Sequence, residues 1–411
     1  MSEFSSVSFD EAISRSLSLD FELPSSIWLP LMDALGYVLS RDVLCQKNLP
    51  SYNNAAMDGY AFAYENRGKK LSISRCILAG QSVLPSLTHE TCYKIMTGAK
   101  VPDDADTIVP FEECMVGDDG CVQLPFDIKQ GNALRLKGEE RAYGALLLKK
   151  GECIDSSSIA LLASQGISHV DVYRKLRVAV LSTGDELKKP WESASEDAIY
   201  DVNAFALMAL LKEQGFETHY GGVVPDNEAA AIAYFKAMQS YDVILSSGGV
   251  SMGEADFVEK ALCANGFVAS FHGIHIKPGK PTMFGMMGST LVASMPGNPL
   301  AAYINAFLFL IPVLKKRSGQ SHVYFGTTMV TLQKPLKLKA GRVNIVLGHI
   351  EQNTFCVFGE NRYGSGMITP LVQSNALLIT DEKTEFINEG ECINVLLIRS
   401  RFCETIEHLK N

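Results

Sequence analysis

The stretches LRVAVLSTGDEL (176–187) and YDVILSSGGVSMGEADF (241–257) decide the fold. Each begins with a short apolar run, as buried strands do, and the run ends in Ser or Thr followed by Gly. Further strands are predicted over 216–224 and 291–295, and helices over 202–214, 227–239 and 254–264. This alternation is typical of a doubly wound sheet of parallel strands with helices on both faces.

The flanking sequence predicts a multidomain α/β plus β protein around this central α/β domain, which we place at 176–322. Residues 1–49 and 145–175 are predicted to form an N-terminal helical and linker domain, with helices starting at Ser8 and covering 31–39 and 156–163. Short runs broken by Gly predict a β-rich second domain over 50–144. Residues 323–411 predict a small C-terminal β-barrel-like domain. The apolar stretch 300–314 contains Asn305 and Pro312 and predicts a buried helix rather than a membrane span.

The amino-acid composition argues against several classes of function. The chain has 411 residues, 47% of them hydrophobic, and a net charge of −9, which argues against disorder and against sequence-independent nucleic-acid binding. Its ten cysteines include no C-x-x-C pair, which argues against a zinc ribbon and a thioredoxin-type motif, and their lack of framework spacing predicts a reducing compartment. The first residues contain no apolar core of signal-peptide length. We therefore expect a cytoplasmic protein with no membrane or nucleic-acid partner.

The ends of the parallel strands carry the residues of a phosphate and metal site. Because these ends meet at one edge of the sheet, the segments 182–186, 225–226 and 246–256 should converge there. Backbone N–H groups at 248–251 and the Ser and Thr hydroxyls suit a phosphate. Glu186, Asp226 and Asp256 suit Mg²⁺. Alternatively, Asp226 and Asp256 are helix caps.

Two proline-rich turns follow. In IKPGKP (276–281), Lys277 and Lys280 each precede a proline, with a glycine between them, which predicts a stiff cationic clamp for an oxyanion. A charged surface turn is the alternative. The stretch MPGNP (295–299) is a second rigid turn, which on local grounds is equally well a plain helix start. No G-x-G-x-x-G or Walker A motif is present, which argues against dinucleotide binding of the Rossmann type and against P-loop ATP hydrolysis.

These motifs also form a recognisable set. NNAAMDGYA (53–61), IMTGAKVP (95–102), STGDEL, SSGGVSMGEADF, IKPGKP and MPGNP occur in the order seen in one family. In this set the chain resembles the molybdopterin molybdotransferases, which include bacterial MoeA and the E domain of gephyrin. The likeness is weaker in the C-terminal domain, where Gly364-Ser365 and Ser374-Asn375 carry it.

The resemblance implies an elongated homodimer whose active site lies between the central domain of one subunit and the second domain of the other. The implied reaction takes adenylylated molybdopterin and molybdate, with Mg²⁺, and yields molybdenum cofactor and AMP. The family's catalytic residues map onto Asp58, Thr97, Glu186, Asp226 and Asp256, the last three as metal ligands. Its substrate-binding residues map onto Arg135, Glu140, Thr183, Gly184, Ser247, Gly248, Gly249, Ser251, Lys277, Lys280, Pro296, Pro299 and Ser365. Glu140 stands where the family commonly has Asp.

Other readings stay open at this point. A molybdopterin adenylyltransferase would share the central domain, and a non-catalytic scaffold of the gephyrin kind would share the whole chain. Tungstate resembles molybdate in size and charge, so sequence does not choose between them. A molybdopterin adenylyltransferase and molybdoenzyme apoproteins are candidate partners.

Overall fold

The computed structural model describes residues 6–82, 84–184, 186–193, 195–196, 198–249 and 256–399, with only the backbone of residues 256 and 257. Within these ranges the chain forms the predicted mixture of α/β and β parts. Each part has a hydrophobic cluster of its own, and the largest cluster joins the central domain to the N-terminal helix and the barrel.

The central domain is built on a six-stranded sheet. Its strands are β1 (Arg177–Ser182), β2 (Glu217–Val223), β3 (Val243–Ser247), β4 (Phe267–His272), β5 (Met283–Met287) and β6 (Thr290–Met295). Their spatial order is β2-β1-β3-β6-β5-β4. The first four strands in this order are parallel, whereas β5 runs in the opposite direction and pairs antiparallel with both β6 and β4 at one edge. The predicted parallel sheet is thus confirmed, and the antiparallel edge adds to it.

Helices cover both faces of this sheet, as alternate side chains require. They are α1 (Val202–Glu213), α2 (Glu228–Met238) and α3 (Asp256–Ala264). Val178 and Val180 of β1 point into the cluster that contains α1, while Ala179 and Leu181 point into the cluster that contains α2 and α3. Burying side chains of this size stabilises the fold by about 1.5–3 kcal/mol each for Val and Leu.

The predicted buried helix is present after β6. It runs as Pro299–Asn305, a π-helical turn Ala306–Leu310, and Ile311–Arg317. Its 19 residues, at a mean hydropathy of 1.3, are long and apolar enough to cross a membrane, but 78% of its most apolar window is buried inside the protein. This burial fits a core helix, and its residues belong to the largest hydrophobic cluster.

The N-terminal part combines helices and strands. Its helices are Phe9–Leu17, whose first turn is capped by Ser8 Oγ accepting from Glu11 N at 3.2 Å, and Ser156–Ser164. Strands Ser26–Pro30, His169–Tyr173 and Val38–Leu39 form one sheet, and Val43–Leu44 pairs with Leu146–Leu148. The helix predicted over 31–39 is wrong beyond Ala34. Only a 3₁₀ turn, Leu31–Ala34, forms there, because Gly36 adopts a φ of +76° and the chain then enters a strand.

The second domain is β-rich, as predicted. Its six-stranded sheet contains, in spatial order, Thr107–Pro110, Gly59–Phe62, Thr91–Ile95, Lys70–Ile77, Cys121–Gln123 and Met115–Val116. A separate pair, Asn54–Ala55 and Leu134–Arg135, lies beside it. Only glycine fits at position 59, because a Cβ there would lie 2.1 Å from the carbonyl oxygen of Val109. This contact gives a packing reason for the glycine in NNAAMDGYA.

The C-terminal domain is a small closed β-barrel, as predicted. Its strands are Thr327–Leu332, Leu336–Lys337, Val343–Glu351, Thr354–Val357, Ala376–Ile379, Phe386–Ile387 and Cys392–Leu397. Five of them close a ring, because Val343–Glu351 pairs with both Thr354–Val357 and Ala376–Ile379. The same long strand pairs in parallel with Ile276–Lys277, which joins the barrel to the central domain.

Candidate active site

The carboxyl ends of β1, β2, β3 and β6 open into one cleft of about 1190 Å³, which we call the strand-end cleft. The described residues of the segments predicted to converge do so. The predicted residues that line the cleft are Thr183, Gly184, Glu186, Asp226, Ser247, Gly248, Gly249 and Pro299. Pro296 lies next to it, where its carbonyl oxygen accepts from Ser247 Oγ at 3.3 Å. Ser251 and the side chain of Asp256 lie outside the described residues.

Several predicted phosphate donors are engaged within the protein. Thr183 Oγ1 donates to the carbonyl oxygen of Ser247 at 3.2 Å, and Ser247 Oγ donates to Pro296. The N–H of Gly248 donates to Met295 O at 3.1 Å, so it is engaged within the protein, and its role at a phosphate stays a prediction. In the described ranges, no backbone acceptor takes the N–H groups of Gly184 and Gly249, two residues that line the cleft.

Close packing between loops explains the glycine pair after β3. Gly248 has a φ of +83°, and a Cβ there would lie 2.4 Å from Thr183 Oγ1. The two loops are also tied by the N–H of Thr183, which donates to Ser247 O at 3.1 Å. A side chain at position 248 would therefore push the β1 and β3 loops apart.

Glu186 and Asp226 present exposed carboxylates to the strand-end cleft. Neither carboxylate accepts a hydrogen bond from the part of the chain that the structure describes. Asp226 is not the cap of α2, because Asn227 Oδ1 accepts from Ala230 N at 3.1 Å and fills that role. The donor set fits Mg²⁺, which takes a few carboxylate oxygens together with phosphate oxygens and water.

A second cavity, the basic groove, has a volume of about 640 Å³ and contains the predicted clamp. Lys277, Lys280 and Ser365 line it, as do Lys337, Lys339 and Arg342 of the barrel. None of its described lining residues is acidic. Arg342 Nε is buried and has no hydrogen-bond partner among the described residues. These five cations have no acidic neighbour in the described lining, and one of them has an unpaired N–H, so the groove has the chemistry that suits an anion.

The strand-end cleft and the basic groove share a border. Pro281 lines the cleft and Lys280 lines the groove. Across from them, Asn298 Nδ2 donates to Ser365 Oγ at 2.9 Å, and the N–H of Leu300 donates to Ser365 O at 3.1 Å. The two cavities are therefore lined by adjacent residues, Lys280 and Pro281, on this side of the border.

The second-domain candidates lie elsewhere in the same chain. Thr97 donates to Asp58 Oδ1 through both its N–H and its Oγ1, each at 2.7 Å. These two hydrogen bonds, the backbone one first, lower the pKa of Asp58. The strand that contains Arg135 pairs with Asn54–Ala55, which lies just before Asp58 in the chain. Among the described residues, neither cavity is lined by Asp58, Thr97, Arg135 or Glu140.

Sequence reasoning missed two polar residues of the cleft, Asp201 and Asn203. Asp201 is 2% exposed, caps α1 through Ala204 N at 3.0 Å, and accepts from Ser182 Oγ at 2.6 Å and Tyr220 OH at 3.2 Å. Burial and Asp201 raise the pKa of Tyr220 to about 12, which keeps the phenol a donor. An Asp directly before a predicted helix at the strand-end edge was the available signal. The sequence carried no such signal for Lys337, Lys339 and Arg342, because basic residues along a β segment are common on protein surfaces.

Three family models match the chain in order. They are the MoeA N-terminal region (domain I and II) at residues 7–166, the probable molybdopterin binding domain at 179–316, and the MoeA C-terminal region (domain IV) at 329–398.

Individual relatives agree with these matches. A molybdopterin molybdenumtransferase of Haemophilus influenzae is 32% identical over 95% of this chain and 98% of its own length. One from Nostoc sp. is 30% identical over 89% and 87%. Gephyrin of Dictyostelium discoideum is 28% identical over 89% of this chain and 58% of gephyrin. Among solved structures, a molybdopterin biosynthesis moeA protein from Pyrococcus horikoshii superposes with a TM-score of 0.83 at 27% identity, over 96% of this chain and 100% of that one.

Proposed function

Because the chain belongs to the MoeA family of molybdopterin molybdenumtransferases, and so is a transferase that inserts molybdenum into molybdopterin, we propose that its substrates are adenylylated molybdopterin and molybdate and its products molybdenum cofactor and AMP. The family predicted from the six motifs is confirmed. The observation that carries the finer proposal is the shared border between the strand-end cleft and the basic groove.

In this proposal the strand-end cleft holds the phosphoanhydride that joins molybdopterin to AMP. The free N–H groups of Gly184 and Gly249 hydrogen-bond its phosphate oxygens, as preorganised donors do in other phosphoryl sites. Glu186 and Asp226 would hold Mg²⁺, which when bound offsets the negative charge of the phosphates. Thr183 and Ser247 act indirectly, because their hydroxyls are used to fix the loops.

The basic groove holds molybdate in this proposal. Molybdate is a tetrahedral dianion, and Lys277, Lys280 and Arg342 supply positive charge around it, with the Ser365 hydroxyl as a neutral donor. The dithiolene sulfurs of molybdopterin bind the metal, so no protein thiolate is needed. Tungstate, which resembles molybdate in size and charge, would bind in the groove through the same residues. Competition between the two oxyanions would measure whether the groove prefers one of them.

Asp58, Thr97, Arg135 and Glu140 reach the reaction from a second copy of the chain in this proposal. All four belong to the second domain, where Thr97 donates to Asp58, but within the described residues they line neither cavity of their own chain. A homodimer that pairs the second domain of one subunit with the central domain of the other would complete the site. Mixing inactive Asp58→Ala and Asp226→Ala proteins should then restore about a quarter of the sites after subunit exchange. No recovery in exchanged dimers would place both residues in one subunit's site or outside the site altogether.

We place the protein in the cytoplasm, with a molybdopterin adenylyltransferase and molybdoenzyme apoproteins as its partners. The function is tested by a molybdate titration of purified protein with adenylylated molybdopterin and Mg²⁺. AMP release and reconstitution of an apo-molybdoenzyme should rise together. Binding of the pterin with neither signal would favour the gephyrin-like scaffold, and ATP consumption would favour the adenylyltransferase.

A further inference from the structure

Asn203 lies where three elements of the strand-end cleft meet. It is the second residue of α1, and its Nδ2 donates to Ser247 Oγ at the end of β3 and to Gly297 O in the proline-rich turn after β6, each at 2.7 Å. A carbonyl oxygen only accepts hydrogen bonds, so the contact with Gly297 fixes the amide with its NH₂ group toward the turn.

The helix turn that carries Asn203 is itself held in place. The preceding cap residue, Asp201, is bound to Ser182 of β1 and Tyr220 of β2, so the first turn of α1 is anchored to the sheet. Ser247 Oγ in turn donates a hydrogen bond to Pro296 O, and the N–H of Gly248 donates to Met295 O. One side chain thus joins the helix start, the β3 loop and the proline-rich turn.

These contacts place the two cavities relative to each other. The β3 loop carries Gly249, which faces the strand-end cleft. The proline-rich turn carries Asn298, which bonds Ser365 at the edge of the basic groove. Without the Asn203 amide, Ser247 Oγ would keep only its 3.3 Å bond to Pro296, and Gly297 O would lose its bond to α1.

We propose that Asn203 is a positioning residue, which sets the β3 loop against the proline-rich turn and thereby aligns a phosphoanhydride in the cleft with an oxyanion in the groove. This inference rests on the proposed function. A misalignment of about 1 Å in such a site costs on the order of 100-fold in rate. The loss should fall on kcat more than on KM, because Asn203 is only one of the residues that line the cleft and the residues proposed to bind the substrates remain.

The experiment compares Asn203→Ala, Asn203→Asp and a matched control, Asn265→Ala. Asn265 has the same chemistry away from the cleft, since its Nδ2 donates to Ile232 O at 2.9 Å and to Ala261 O at 2.8 Å. We would measure kcat and KM for AMP release, together with thermal midpoints. Asn203→Ala should lose about 10- to 100-fold in kcat with KM changed less than about threefold. Asn203→Asp should be no better, because it sets a carboxylate oxygen against Gly297 O. Asn265→Ala should lose stability only.

Two results would overturn the inference. One is a kcat of Asn203→Ala within twofold of the wild-type value, and the other is an equal loss in Asn265→Ala, which would mark a general effect of stability. If wild-type protein releases no AMP under any molybdate concentration, the proposed function itself falls and takes the inference with it. Activity in the wild type thus separates the two failures.

Discussion

Replacing Arg342 by Met should weaken molybdate binding without weakening the free protein. The guanidinium lines the basic groove with four lysines, and its Nε is buried without a partner among the described residues. A hydrogen bond to a charged group contributes about 1.5–3 kcal/mol. Each 1.4 kcal/mol is a tenfold change in an equilibrium constant, so the half-saturating molybdate concentration should rise about 10- to 150-fold.

The thermal stability of the Arg342→Met protein without molybdate should increase or stay unchanged. The Arg342→Met protein keeps most of the apolar stem and loses a buried donor that has no acceptor, a group that costs about 1–3 kcal/mol when unsatisfied. It also relieves repulsion from Lys337 and Lys339, which line the same groove. We therefore expect a thermal midpoint equal to or above that of the wild type when no oxyanion is present.

The assay is a molybdate titration followed both by AMP release and by the thermal midpoint, since a ligand stabilises the folded protein in proportion to ln(1 + [L]/Kd). The Arg362→Met protein is the control, because Arg362 is exposed, lies 3.7 Å from Glu360 and is outside the groove lining. Equal half-saturating molybdate in wild type and the Arg342→Met protein would refute the assignment of the groove as the oxyanion site.

Three further perturbations test other parts of the site. Thr97→Val removes one of the two donors that lower the pKa of Asp58, so Asp58 should protonate at higher pH and the acid limb of the pH–rate profile should shift upward, whereas Thr97→Ser should keep the profile. Gly248→Ala should lower the free energy of unfolding by about 1–3 kcal/mol and the activity at least tenfold. Gly266→Ala is the control, because Gly266 has the same φ of +83° but open space around its Cβ, so this variant measures the cost of the backbone conformation alone. Asp226→Asn should raise the half-saturating Mg²⁺ concentration about tenfold, and Glu228→Gln, outside the cleft lining, should leave it unchanged.

The strands that form the cleft were predictable because their signals are local. β1 and β3 are apolar runs of strand length, and each ends in a hydroxyl residue followed by glycine. In a parallel sheet such ends share one edge, so the convergence of Glu186, Asp226 and Gly249 followed from topology alone.

The antiparallel edge of the sheet was not predictable from local signals. The pairing of β4 with β5 spans the lysine clamp and depends on Gly285, where a Cβ would lie 2.3 Å from Val268 O. A glycine of this kind marks a close approach, but the sequence does not name the partner that approaches.

The basic groove depended on long-range pairing in the same way. Ile276–Lys277 pairs with Val343 and Asn344, which brings Arg342 beside a clamp more than 60 residues earlier in the chain. The roles of the hydroxyls were also beyond sequence reasoning. Thr183 and Ser247 were predicted at the cleft and do line it, yet whether a hydroxyl donates to a ligand or to a neighbouring loop is set by distances of a few tenths of an ångström.

The most direct test of the account is a single turnover with adenylylated molybdopterin and Mg²⁺, with and without molybdate. Because the cleft and the groove share the border at Asn298 and Ser365, we expect AMP to be released only when molybdate is present, with one cofactor formed for each AMP. Release of AMP at the same rate without molybdate would contradict the account, since it would show that the two cavities act independently.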